Sequence, residues 1–151
     1  MNRIIIIIGL MLFSTITKGQ GIAAFEFLYS LSDEIIVVKI TNERTASESL
    51  IQCKSYVDAR IVEGLKVKRL LPDEKIIHFV RILSCNEKGN VPEGLLLDKS
   101  KQYIIFLSSE SPGYDTIGNH KEYALSDYIL GIQEYSEDLA KYLRSKQRLK
   151  R

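Results

Sequence analysis

A chain of 151 residues, 45% hydrophobic and 26% charged, has the composition of a single soluble globular domain. It falls outside the disordered and collagen-like classes, and two cysteines are too few for a disulfide-built miniprotein. The formal charge of +2 hides an uneven distribution: from Lys141 onward there are six bases (Lys141, Arg144, Lys146, Arg148, Lys150, Arg151) and no acid.

Residues 1–19 begin Met1-Asn2-Arg3, continue as IIIIIGLMLF from Ile4 to Phe13, and end in the polar stretch STITKG. A basic start, an apolar run of about ten residues and small residues before a cut describe a secretory signal peptide. A membrane span needs about 20 apolar residues. Thr17 and Gly19 occupy the small positions, so Gln20 is the expected first residue of the mature chain, with cleavage after Gln20 as the alternative. No cysteine lies nearby to be acylated. The expected organisation is a signal peptide over 1–19, one domain over 20–146 and a basic tail over 147–151, in a protein that is periplasmic or secreted. Losing Arg3 and Lys18 leaves 19 bases against 19 acids. Residues 20–140 hold 13 of those bases and all 19 acids, a net of −6. An acidic body with a basic tail is not a nucleic-acid-binding profile.

Along the mature chain, AAFEFLYSL (Ala23–Leu31) reads as a short helix with Phe25, Leu28 and Tyr29 on one face. Ser32-Asp33 ends it, and EIIVVKI (Glu34–Ile40) has the β-branched pattern of a buried strand. Asn42–Glu48 reads as a loop. Ile51–Val62 is a second strand, and LKVKRLL (Leu65–Leu71) is either its bent continuation or a separate short one. Pro72-Asp73-Glu74 reads as a turn, and KIIHFVRIL (Lys75–Leu83) as the third strand. Asn86–Gly94 is loop, followed by a short bridge at Leu95–Leu97 and a turn at Asp98–Lys101. QYIIFL (Gln102–Leu107) is the fourth strand. Ser108–Lys121 reads as a long exposed loop and Tyr123–Ile132 as the fifth strand, or as a strand and short turn, with Gly131 at a bulge or bend. Ser136 caps a closing helix whose acidic start and basic end match its dipole. That helix would dock through Leu139, Tyr142 and Leu143. The expected fold is mainly β: a five-stranded OB-like Greek-key barrel with a short N-terminal helix and a C-terminal helix.

In this order and texture the chain resembles the netrin-like module, the OB-fold barrel of tissue inhibitors of metalloproteinases and of small secreted bacterial proteins. The resemblance rests on FEFLYSLSDEIIVVKI from Phe25, YVDARIVEGLK, IIHFVRILSC ending at the lone Cys85, and DKSKQYIIFL from Asp98. It spans about 80 residues, and the closing helix fits it. In the metalloproteinase inhibitors a cysteine at the mature N-terminus presents its amine and carbonyl to the protease zinc. Here the expected first residue is Gln20 and the nearest cysteine is Cys53, so the resemblance implies no inhibition by that route.

Cys53 and Cys85 are either a disulfide, which an oxidising destination favours, or two buried thiols on separate strands. Their spacing is unlike a Cys-x-x-Cys redox pair. His78 falls inside a strand and reads as structural, and His120 reads as a solvated loop residue. The sequence has no Gly-x-Ser-x-Gly elbow, no phosphate-binding glycine loop and no defensible acid/base carboxylate pair. No catalytic residue, metal site or cofactor is therefore expected. Tyr114, Tyr123, Tyr128 and Tyr135 lie in or after the long loop and are the candidate partner-binding residues, since tyrosine is enriched at interfaces. Tyr103 reads as packing. Arg144, Lys146, Arg148, Lys150 and Arg151 are candidates for weak contact with an anionic envelope surface. The expected function is an exported, non-catalytic module that binds a protein partner. The alternatives are a protease inhibitor acting by another surface and an envelope-associated structural protein.

Overall fold

The apolar runs EIIVVKI and QYIIFL are both buried on two sides, and their pairing organises the molecule. The computed structural model describes residues 23–49, 51–70, 73–108, 116–117, 120–127 and 130–148. Helix α1 (23–31) precedes β1 (Glu34–Ser47), β2 (Gln52–Lys66), β3 (Ile76–Ser84), β4 (Gln102–Ser108), β5 (Thr116–Ile117), β6 (His120–Leu125) and β7 (Ile132–Glu134), and α2 (Glu137–Arg148) follows. A 3-10 turn at Glu93–Leu95 stands between β3 and β4. The expected residues 1–19 lie outside the described part.

The fold is mainly β and OB-like. β1 pairs antiparallel with β2 and β4, β2 pairs antiparallel with β3, and β3 pairs parallel with β6. The return from β6 to β4 is made by only two residue pairs, Leu107↔Leu125 and Ser108↔Ala124, so the barrel is loosely joined at that seam. β7 continues along the same edge of β4, and β5 forms a hairpin with β6.

Alternation along β1 and β4 serves two cores. Ile36, Val38, Ile40, Tyr103, Ile105 and Leu107 point into the barrel, where they meet Val57, Ala59, Ile77, Phe79, Tyr123 and Leu125. Ile35, Val37, Ile104 and Phe106 point outward and are covered by Leu28 and Tyr29 of α1 and by Ala140 and Leu143 of α2. Phe25 stacks on Phe106 with ring centroids 6.2 Å apart. The carboxyl end of α1 is held by Lys66, whose Nζ donates to the carbonyls of Tyr29 (2.8 Å) and Ser32. That contact satisfies carbonyls a helix end otherwise leaves unpaired. Ser136 caps α2 as its sequence predicts, its Oγ accepting the Leu139 N–H at 3.3 Å. The docking face includes Ala140 as well as Leu139, Tyr142 and Leu143.

Four expectations change. Asn42–Glu48 is not a loop: β1 continues to Ser47 because β2 pairs with it residue for residue. Of the two readings of LKVKRLL, continuation of the second strand holds, as far as Lys66. The stretch Leu95–Leu97 enters from a 3-10 turn instead of forming a strand bridge. The stretch read as the fifth strand holds two strands, β6 and β7, and between them the Gly131 N–H donates to the Asp127 carbonyl at 2.9 Å. A Cβ at Gly131 would lie 2.2 Å from that carbonyl oxygen, so only glycine fits the expected bend. Within the stretch read as a long loop, the described residues form the last residue of β4, β5 and the start of β6.

Candidate functional site

The charged residues of the described barrel are drawn into a few polar clusters, each spanning several elements. Glu43 of β1 anchors the first. One carboxylate oxygen accepts from Ser55 of β2 and from Arg81 of β3 at 2.8 Å, and the other accepts the Leu97 N–H at 2.8 Å. Arg81 also donates to the Leu95 carbonyl at 3.0 Å. The cluster ties the segment after the 3-10 turn to three strands. At the other end of the sheet the buried Glu34 accepts the backbone N–H groups of Lys68 and Arg69 (2.5–3.1 Å), fixing the chain after β2. Burial pushes its carboxyl above the ordinary range, against the pull of the backbone N–H groups of Arg69, Lys68 and Leu70.

Cys53 and Cys85 are disulfide-bonded, with Cα atoms 5.6 Å apart. The bond closes the far end of β2 and β3, where the Cys85 N–H donates to the Ile51 carbonyl at 3.1 Å. It is compatible with an oxidising, exported setting.

The tyrosine surface expected from sequence does not form as read. Tyr123 is 2% exposed and packs inside the barrel, placed beside Phe79 by the parallel pairing of β3 and β6. Tyr135 is half-buried against α2, and its hydroxyl donates to Glu137. Tyr114 and Tyr128 lie outside the described residues. The basic residues divide similarly. Arg144 grips Glu63 with two bonds, 2.8 Å from Nε and 2.7 Å from Nη2, and reaches Glu137 at 3.1 Å. Lys146 pairs with Glu26 and lies 5.5 Å from the Tyr142 ring centroid. These two side chains dock α2 on β2 and α1, because acids distant in sequence meet them there. Arg144 holds Glu63 below the usual carboxylate range, and Lys146 and Tyr142 do the same for Glu26. Arg148 is the exposed member, ending α2 one residue past the first of the expected tail, and Lys150 and Arg151 lie outside the described residues.

Among the described residues, no helix covers the outer face formed by β3 with Asn42–Ser47 of β1 and Gln52–Arg60 of β2. Register fixes its members: Asn42 and Arg44 on β1, Lys54, Tyr56, Asp58 and Arg60 on β2, and Ile76, His78, Val80 and Ile82 on β3. Ile76 is 51% exposed, Arg44 and Arg60 are exposed, and Tyr56, Val80 and Ile82 are half-exposed. At the centre, His78 Nδ1 and Asp58 Oδ1 are 2.8 Å apart, and Asn42 Nδ2 donates to Asp58 Oδ2 at 3.3 Å. Burial alone would raise the Asp58 pKa, but its bonds to His78 and Asn42 prevail and hold it below the ordinary range. His78 thus lies within a strand, as expected, with its ring held by Asp58, whereas His120, read as a loop residue, opens β6. Tyr56 is the residue that sequence reasoning missed. Its signal is the period-two set Lys54, Tyr56, Asp58, Arg60, which a strand displays on one face.

An aromatic ring, β-branched side chains and two arginines around a fixed polar pair form the mixture that protein interfaces favour. Among the described residues, no group of three His, Cys, Asp or Glu side chains could hold a metal ion, and no helix is long and apolar enough to cross a membrane. No protein-family model matches the chain, and no curated protein matches it in sequence.

Proposed function

We propose that this chain is an exported, non-catalytic binding module that engages a protein partner through the outer face of β1, β2 and β3. The observation that carries the reading is the uncovered state of that face. The β1–β4 side of the same barrel is roofed by two helices, whereas this side leaves Ile76, Val80, Ile82 and Tyr56 at the surface between Arg44 and Arg60. A partner presenting acidic and apolar side chains matches that chemistry. Export is supported by the signal-like residues 1–19 and by the disulfide. The netrin-like reading is supported by the strand order, with β3 and β6 parallel and two helices packed on the outer face of β1 and β4. A non-catalytic role is supported by the use of Glu43, Arg81 and Glu34 as internal clamps.

The test compares the parent chain with an Arg60→Glu/Ile76→Asp variant, both recovered from the envelope and culture fractions of their own cell. The proposal expects one stoichiometric protein, retained at moderate salt by the parent and lost by the variant, with no change in the melting curve. Equal recovery with parent and variant would remove the face from the account.

A further inference from the structure

We propose that the open edge of β1 over Asn42–Ser47 pairs with the same edge of a second copy of this chain, joining two three-stranded arms into one antiparallel sheet. β1 lies between β2 and β4 only as far as Lys39. From Asn42 to Ser47, among the described residues, its backbone pairs with β2 alone, and the Leu97 N–H reaches that stretch at the Glu43 side chain, not at its backbone. Arg44, Thr45, Ala46 and Ser47 are all exposed. The stretch contains no proline, and the register shift between Ile40 and Asn42 precedes it. It therefore lacks the two backbone devices that blunt a sheet edge. The Glu48 N–H donates to the Gln52 carbonyl at 2.9 Å. By the two-residue alternation of an antiparallel ladder, the N–H and C=O groups of Thr45 and Ser47 then face the open side.

The charge pattern selects a second copy as the occupant. Arg44, Ala46 and Glu48 share the outer face: Glu48 pairs at 2.5 Å with Lys54, the residue opposite Ala46. A two-fold antiparallel junction centred on Ala46 places Thr45 opposite the partner's Ser47 and Arg44 opposite the partner's Glu48. Each of these pairings occurs twice by symmetry. The first supplies backbone bonds, the second joins opposite charges across the strands, and only a methyl group stands at the axis. Centring on Arg44 instead sets guanidinium against guanidinium, and centring on Thr45 joins no charges. The inference concerns the edge and does not depend on the partner proposed for the face, although the junction would set two such faces side by side.

Sedimentation of the chain as recovered from cells, run across a wide concentration series without any other protein, tests this directly. The expected result is a reversible monomer–dimer equilibrium. Arg44→Glu weakens it at least about tenfold, Glu48→Arg weakens it similarly, and the double reversal restores it, since like charges facing each other across an interface cost several kcal/mol. Thr45→Pro, which removes a backbone donor on the open side, abolishes the dimer and leaves the monomer's far-ultraviolet spectrum intact. A chain that stays monomeric throughout, a dimer indifferent to Arg44→Glu, or a double reversal that fails to recover would each overturn the self-pairing.

Discussion

The two halves of β1 belong to different environments. Glu34–Ile40 is covered on both sides, by the barrel core within and by α1 and α2 without. Thr41–Ser47 leaves that cover, pairs with one strand only and has its last four side chains in solvent. The same strand thus passes from a region whose residues hold the molecule together to one whose residues are available for contact. A half-covered barrel concentrates its stability on one side, and the proposed recognition falls on the other.

The sharpest way to break that division is at the roofed side. Phe106→Ala removes a ring that is fully buried beneath Phe25 and α2 and should cost about 3–5 kcal/mol, read by urea unfolding. Replacing both Cys53 and Cys85 by alanine opens a loop of 32 residues at the far end of the arm and should cost about 3–4 kcal/mol. Arg81→Met leaves the Glu43 carboxylate enclosed without its cation and should cost about 3 kcal/mol. On the bare face, Arg60→Glu and Ile76→Asp should each move stability by no more than about 0.5 kcal/mol while removing partner binding.

The smallest effect has opposite signs at two carboxylates. Glu63 is held below its unfolded pKa by Arg144, so its contribution is present above pH ~4 and is lost as pH falls through the lowered value. Glu34 is held above its unfolded pKa by burial, so its contribution is present below pH ~4 and is lost as pH rises through the raised value. In urea titrations, the gap between parent and Arg144→Met should therefore narrow toward acid, and the gap between parent and Glu34→Gln should narrow toward neutrality.

Much of the roofed side was legible in the sequence. EIIVVKI and QYIIFL carry no alternation because both faces are buried, and Leu28 and Leu143 fall where helical spacing predicts. Gly131 marked its turn. The bare arm was harder to read, because TNERTAS has the composition of a loop and is a strand only through its pairing with β2 and the enclosure of Glu43. The basic end of the chain misled for a related reason: Arg144 finds Glu63 from 81 residues earlier, a meeting no local pattern announces. Tyr123 sits among polar neighbours in sequence, yet the parallel strand pairing turns it inward beside Phe79. Local periodicity identified burial on two sides and missed the contacts made by register.

The most direct test of the account is a photo-crosslinking residue placed at Tyr56 on the bare face and, in a second chain, at Lys141 on the exposed side of α2. The account predicts an adduct with one protein from position 56 and none from position 141. An adduct from position 141 alone, or none from either, would contradict the assignment of recognition to the uncovered sheet.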